Sequence, residues 1–540
     1  MDSPSPTSPA LTWLRNAAVV TALAMIGGMA AWLWLKKSLP HQPPKAPSDV
    51  SGIVMRVNAA FEADWASKGI PAATRADDLT ILRRLSLALT GSIPSLEDIR
   101  EVQAMQGEDA PERWLTRLLK ERRTSDYLAE RLARVYVGTE NGPFLIYRRR
   151  RLVEWLSEAL LQNRPYDHIV RELIESKGVW TTNPAVNFIT VTNEPQKGPD
   201  EKKLAAKVSR AFLGVRIDCV ECHDGKLGSP WEQRDFHQLA AYFGQTKFDF
   251  TGVRDDPKQQ YQMRYLGETE PVGISAKVPW KPECMPEQGP PRSRLAEWVT
   301  AKENKTFART LVNRFWALLF NKPLIIPVDD LPLDGPFPPG MELLTEDFIA
   351  HDFNLHRLIR VITATRVFEA SSVTDHPGAE VQWAAFPVTR LRPEQMAGSV
   401  IQAASLRSIG EEAPVIFRIK RDIDVRNFVK RYGDKGEDDF DNAGSTIPQR
   451  LLLMNGNMVT DHVKGNPLLS ACTRIGLLSP DHRTAIESAY LAVFCRKPSV
   501  EELAHFEERL ASAKSISSRS STMSDLYWTL MNATEFSWNH

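Results

Sequence analysis

Cys219-Val220-Glu221-Cys222-His223 is the stretch on which the reading of this chain turns. Two thiols separated by two residues, with an imidazole directly after the second, are the set that covalent haem attachment uses. Each thiol can form a thioether to one vinyl group, and the histidine then lies under the iron as its proximal ligand. Only five cysteines occur in 540 residues (Cys219, Cys222, Cys284, Cys472 and Cys495), and no other two lie close together. The motif therefore predicts one haem c, held by Cys219 and Cys222 with His223 on the iron. Two other readings of the same thiols stay open. Zinc needs four ligands, usually from two separated pairs, and the chain has no second Cys-x-x-Cys and no His-x-x-x-His. A redox dithiol or a disulfide needs nothing further, and export from the cytoplasm would allow it.

Export is what the N-terminal stretch predicts. After an N-terminal tail over 1–15, Ser/Pro-rich through residue 10, residues 16–35 carry no charge and are bounded by Arg15 and Lys36-Lys37, with Trp13, Trp32 and Trp34 near the ends. Twenty helical residues span a bilayer core and tryptophan favours its interfaces, so the segment reads as a transmembrane anchor. A cleaved signal peptide, with Gly28-Met29-Ala30 as its small-x-small site, is the alternative. The flanking cations do not favour an outside C-terminus. Covalent haem attachment takes place on the exported side, and this decides the expected topology: a single-pass protein of the bacterial cytoplasmic membrane, its soluble part in the periplasm. Residues 36–49 contain four prolines and little to bury, which predicts a stiff linker.

The remaining length is enough for two domains, and the spacing of apolar residues predicts a mainly α fold: two helical domains behind the anchor and linker. In the first, residues 50–250, helical periodicity runs through Val54, Val57, Phe61 and Trp65 and through Leu82, Leu85 and Leu89. Ser95 with Asp98 reads as a capping box, and further helices are expected over 114–119, 127–137, 152–161, 203–213 and 231–243. Residues 251–290 read as a connection with a small β element around 261–266 and 274–278 and a free Cys284. In the second domain, 291–540, helices are expected over 295–300, 306–320, 343–351, 355–364, 393–404 and 484–494. Lysine plus arginine and aspartate plus glutamate both number 67, so net charge gives no footprint for nucleic acid.

Other residues have two readings. The run Arg148-Arg149-Arg150-Arg151 reads as a solvated helix face, with pairing to haem propionates as the alternative. His168, His237, Met263 and Met285 are the candidates for a sixth iron ligand, and an isolated histidine or methionine is more commonly a packing residue. The proline-rich loop 327–339 reads as a surface loop that carries Asp329, Asp330 and Asp334, and the acidic run 434–441 lacks the spacing of a calcium loop. Asn313, Arg314, Arg390 and Arg392 are expected as buried polar anchors. No phosphate-cradling Gly-rich loop, His-Glu-x-x-His or Gly-x-Ser-x-Gly occurs.

Residues 78–91 (Asp-Leu-Thr-Ile-Leu-Arg-Arg-Leu-Ser-Leu-Ala-Leu-Thr-Gly) and 211–224 (Ala-Phe-Leu-Gly-Val-Arg-Ile-Asp-Cys-Val-Glu-Cys-His-Asp), with the 231–243 helix, resemble the planctomycete cytochrome c-like domain, a domain of unknown function. Residues 294–299 (Arg-Leu-Ala-Glu-Trp-Val), 307–316 (Phe-Ala-Arg-Thr-Leu-Val-Asn-Arg-Phe-Trp), 390–395 (Arg-Leu-Arg-Pro-Glu-Gln) and 447–455 (Ile-Pro-Gln-Arg-Leu-Leu-Leu-Met-Asn) are similar to its usual companion, the planctomycete PSD-type domain. The resemblance implies haem binding at Cys219, Cys222 and His223 in a cell-envelope protein, and brings no reaction. Many relatives carry a second histidine two residues after the motif, where this chain has Gly225. Larger relatives carry a further cytochrome-like segment where this chain has its anchor and linker, so one haem is the maximum. The expected function is electron transfer with a redox partner protein that the sequence does not identify. The alternatives are a haem-free envelope scaffold with a disulfide between Cys219 and Cys222, and an envelope enzyme of unknown substrate.

Overall fold

Apolar residues four apart build the first described helix, Ser51–Lys68, which buries Ile53, Val57, Phe61 and Trp65 and stops at Gly69. This computed structural model describes residues 50–104, 110–139, 146–225, 230–265, 268–409, 413, 415–432, 459, 463 and 470–540. The predicted anchor (16–35), the linker (36–49), the acidic run 434–441 and the block 447–455 lie outside the described residues. Among the described residues, no helix is long and apolar enough to cross a membrane.

The chain is mainly helical, as its periodicity predicts. Asp77 caps Asp78–Thr90 by accepting from the Thr80 amide, and Gly91 ends it. Ser95 and Asp98 do form the reciprocal cap of Leu96–Ala104: the Ser95 amide donates to Oδ2 of Asp98 and the Asp98 amide to Oγ of Ser95, both at 3.1 Å. Helices Ala110–Leu118, Arg122–Val137, Arg149–Leu161, Glu201–Leu213, Lys305–Phe320, Met341–Ala350, Leu355–Thr363, Pro393–Ala403 and His482–Phe494 stand where apolar spacing puts them. The 231–243 segment is a shorter α-helix, Gln233–Ala240, continued by a 3-10 turn, Ala241–Phe243. Among the described residues, five longer helices have no counterpart in the sequence reading, Tyr166–Glu175, Val415–Tyr432, Ala471–Leu478, Val500–Ala511 and Ile516–Asn532, and neither do the one-turn helices Asn187–Thr190 and Arg366–Glu369. Strands are short and paired in twos. Thr246–Asp249 runs antiparallel to Gly252–Asp255, and Gln262–Met263 pairs with Val272–Gly273, so the second strand of the expected β element falls two residues earlier.

Residues Val50–His540 form one compact unit, and aromatic rings from both halves meet in its core. Phe61 stacks on Trp316 at 5.7 Å between centroids, Trp316 on Phe320 at 4.5 Å, and Tyr166 on Phe307 at 5.4 Å. Buried cations also join the halves. Nη1 of Arg84 donates to the carbonyls of Phe368 and Ala370, both at 2.8 Å, and Nε to that of His540 at 2.9 Å. Arg131, Arg134 and Arg392 all pair with the buried Glu394, at 2.6, 3.8 and 3.2 Å.

Candidate functional site

Helix Glu201–Leu213 leads to the cysteine motif, and its start is fixed by Asp200, whose carboxylate accepts from the amides of Lys202 and Lys203. The helix ends at Gly214, with φ +59°, where a Cβ would stand 2.6 Å from Oγ1 of Thr310. Only glycine fits so close to the Lys305–Phe320 helix in that conformation. A 3-10 turn, Ile217–Val220, follows and buries Ile217 and Val220. With those two side chains held inside, Cys219, Cys222 and His223 are exposed on one short turn. All five cysteines are free thiols in the structure.

The exposed groups are not left loose. The Cys219 thiol donates to the Arg216 carbonyl at 2.8 Å. Burial first, then the carboxylates of Asp218 and Asp330, push this thiol above its ordinary range. Nδ1 of His223 lies 2.7 Å from the Asp224 carbonyl. A carbonyl can only accept, so Nδ1 carries the proton and Nε2 is the ring's basic nitrogen. Lys202 pairs with Glu221 at 2.5 Å, and this bond holds the lysine above its ordinary range.

Behind the turn, the Glu221 carbonyl accepts from Nε2 of His237 at 3.1 Å and from Nε2 of Gln233 at 3.0 Å. The Gln233 amide donates to Asp224 at 2.9 Å, and the Gly225 amide to the Trp231 carbonyl at 3.0 Å. His237 is fully buried, and burial holds its imidazole below the ordinary range, hence neutral. Its Nε2 donates, so Nδ1 accepts from the Tyr261 hydroxyl at 2.7 Å. Both nitrogens of this sixth-ligand candidate are therefore engaged, and its observed task is to hold the turn. His237→Phe is expected to cost about 1–3 kcal/mol, because a buried hydroxyl and a carbonyl each lose a partner. His237→Gln, which keeps a donor, should lose less in a denaturant titration, and equal midpoints for wild type and both variants would dismiss the clamp.

The remaining candidates stand elsewhere. His168 is exposed beside Asp167, Met285 accepts from the Tyr242 hydroxyl at 3.6 Å, and Met263 lies in the Gln262–Met263 strand. Among the described residues, no hydrogen bond or ion pair joins these three to 219–223. Arg150 and Arg151 are exposed and pair with Glu154 as a solvated helix face does, whereas Arg149 is largely covered and reaches across to Glu130 of the Arg122–Val137 helix. Asn313 is the buried anchor expected, exchanging hydrogen bonds with the backbone of Ile325, and Arg314 is buried too, whereas Arg392 is only partly buried, beside Glu394. Arg390 is not: it is exposed, over the ring of Trp538.

Asp329 corrects the picture of the proline-rich loop as plain surface. Its side chain is only 6 % exposed, and Oδ1 accepts from Nε and Nη2 of Arg216 at 2.9 and 2.6 Å. Arg210 reaches Oδ2 of Asp329 at 3.4 Å and pairs with Asp218 at 2.8 Å. The Leu331 amide donates to the Gly214 carbonyl at 2.7 Å.

As folded, the site offers two accessible thiols and one imidazole of fixed tautomer on a turn held from two sides. Among the described residues, no three His, Cys, Asp or Glu side chains converge as a directly bound metal ion would require. Neither a curated protein nor a solved structure matches the chain. Residues 56–248 match the family PSCyt2, described as a protein of unknown function (DUF1549), and residues 291–427 match PSD1, described as a protein of unknown function (DUF1553). The chain thus carries a region that matches PSCyt2 followed by one that matches PSD1.

Proposed function

We propose that the chain is a membrane-anchored c-type cytochrome-like protein of the bacterial envelope, with one haem on Cys219, Cys222 and His223. The observation that carries this reading is the state of the three side chains on one turn. Both thiols are free and exposed, and the His223 proton is held on Nδ1 by the Asp224 carbonyl. A ligating histidine characteristically donates its other nitrogen to such an acceptor, which orients the ring and raises its basicity. The donor set therefore fits the group. Bound haem supplies a one-electron couple, and this makes electron transfer with a partner protein the favoured role.

The chain's own residues do the rest. Cys219 and Cys222 would each hold the haem through a thioether, and His223 would supply the nitrogen for its iron. Ile217 and Val220 pin the turn so that both sulfurs face outward, and His237 and Gln233 fix the Glu221 carbonyl between them. Anchoring rests on the uncharged segment 16–35, and the periplasmic location follows from where haem attachment takes place.

The test uses the full chain made in a host with c-type haem maturation, beside Cys219→Ala/Cys222→Ala. After denaturation, haem is expected to stay with the wild-type polypeptide and to be absent from the double variant, with a c-type reduced spectrum. A colourless wild type, where a control cytochrome matures, overturns the reading in favour of a haem-free envelope scaffold.

A further inference from the structure

The residues that secure Cys219 do not all belong to the PSCyt2 half. Arg216 is the joint between two sets of contacts. Its carbonyl accepts from the Cys219 thiol at 2.8 Å, and its amide faces Oδ1 of Asp330 at 3.4 Å. Its guanidinium makes two bonds to Oδ1 of Asp329. Asp329 also draws in Arg210, which in turn holds Asp218, the residue before Cys219. One buried carboxylate thus ties down both flanking cations of the segment that enters the motif. The backbone bond from Leu331 to Gly214 and the close approach of Gly214 to Thr310 bring the same two stretches together without charge.

We propose that Asp329 is a positioning residue for the Cys219–His223 turn, so that the segment following the Lys305–Phe320 helix completes the attachment site. The claim that this turn receives haem rests on the function proposed above; the latch itself does not. A charge-assisted, buried bond of this kind holds a segment far more firmly than an exposed one, and its loss loosens the segment that enters the motif. Asp329 acts through Arg216 and touches neither thiol.

Thiol chemistry separates this role from a general one in stability. Full-length protein made without haem maturation is treated with a limiting iodoacetamide probe, and labelling at Cys219 and Cys222 is read by mass spectrometry. In Asp329→Asn the ratio of Cys219 to Cys222 labelling is expected to rise about threefold, because the exposed Cys219 thiol is restrained by its hydrogen bond to the Arg216 carbonyl, which loosens with the latch. Asp329→Glu, which restores the charge, should bring the ratio back toward wild type. A ratio unchanged in Asp329→Asn overturns the proposal, as does a rise that Asp329→Glu leaves uncorrected. Should Asp329→Asn fail to fold, Arg216→Gln takes its place, removing the guanidinium that bonds Asp329: a raised ratio supports the latch and an unchanged one overturns it. In the haem-maturing host, Asp329→Asn should carry less covalent haem per chain than wild type. If wild type carries none, the haem reading fails while the labelling ratio still decides the latch.

Discussion

Replacing Glu394 by glutamine is expected to remove about 3 kcal/mol of stability at neutral pH, since each decade of pKa is worth about 1.4 kcal/mol. The carboxyl is buried, which pushes its pKa up, but Arg131, Arg134 and Arg392 together overcome that and bring it from 4.5 to about 2. Arg131 comes from helix Arg122–Val137, and Glu394 from the first turn of Pro393–Ala403. Glutamine would leave the three guanidinium groups without their shared counter-charge, and breaking a buried pair by removing one partner is a severe change. Because the folded value lies below the unfolded one, this contribution is complete above pH 4.5 and fades as the pH falls toward about 2. Urea titrations of wild type and Glu394→Gln should differ most at pH 7 and converge in acid. Matching midpoints at pH 7 would show that the cluster holds no net stability.

Trp316→Ala should cost about 4 kcal/mol, the usual range for emptying a fully buried tryptophan site. The indole lies between Phe61 and Phe320 and meets the edge of Trp383 at 5.3 Å, so no single neighbour can move in to fill the gap. Phe61 belongs to the first described helix, Trp383 and Phe320 to the second half. The loss must therefore reach both. Calorimetry should show one transition for residues 50–540 in wild type, displaced as a whole in Trp316→Ala. A variant scan in which an early transition shifts and a later one stays put would mean that the halves melt separately.

Much of this architecture is local and hence legible in the sequence. The Ser95/Asp98 cap and the 3.6-residue spacing of Val57, Phe61 and Trp65 need no distant partner to be read. The Tyr166–Glu175 helix carried the same signal in Tyr166, Ile169, Val170, Leu173 and Ile174, just after Pro165. So did Val500–Ala511, with a capping box from Ser499 to Glu502. The candidate thiols and imidazole stand out by spacing alone. Their supports do not. His237 acts on a backbone carbonyl, an acceptor every residue owns, so nothing in its neighbours distinguishes a clamp from a ligand. Asp329 finds its partners only when remote segments meet, and in the sequence its loop resembles any proline-rich surface turn.

The separation between Arg216 and Asp329 also orders events in time. They stand 113 positions apart. At a synthesis rate of roughly 5–20 residues per second, the cysteine motif emerges on the order of ten seconds before the carboxylate that will tie it down. During that interval both thiols belong to an unfinished surface, open to whatever chemistry the compartment offers. Once the later segment arrives, the same turn is held in place. Any group to be joined to these cysteines thus meets two successive versions of the site, a pliant one during synthesis and a fixed one afterwards.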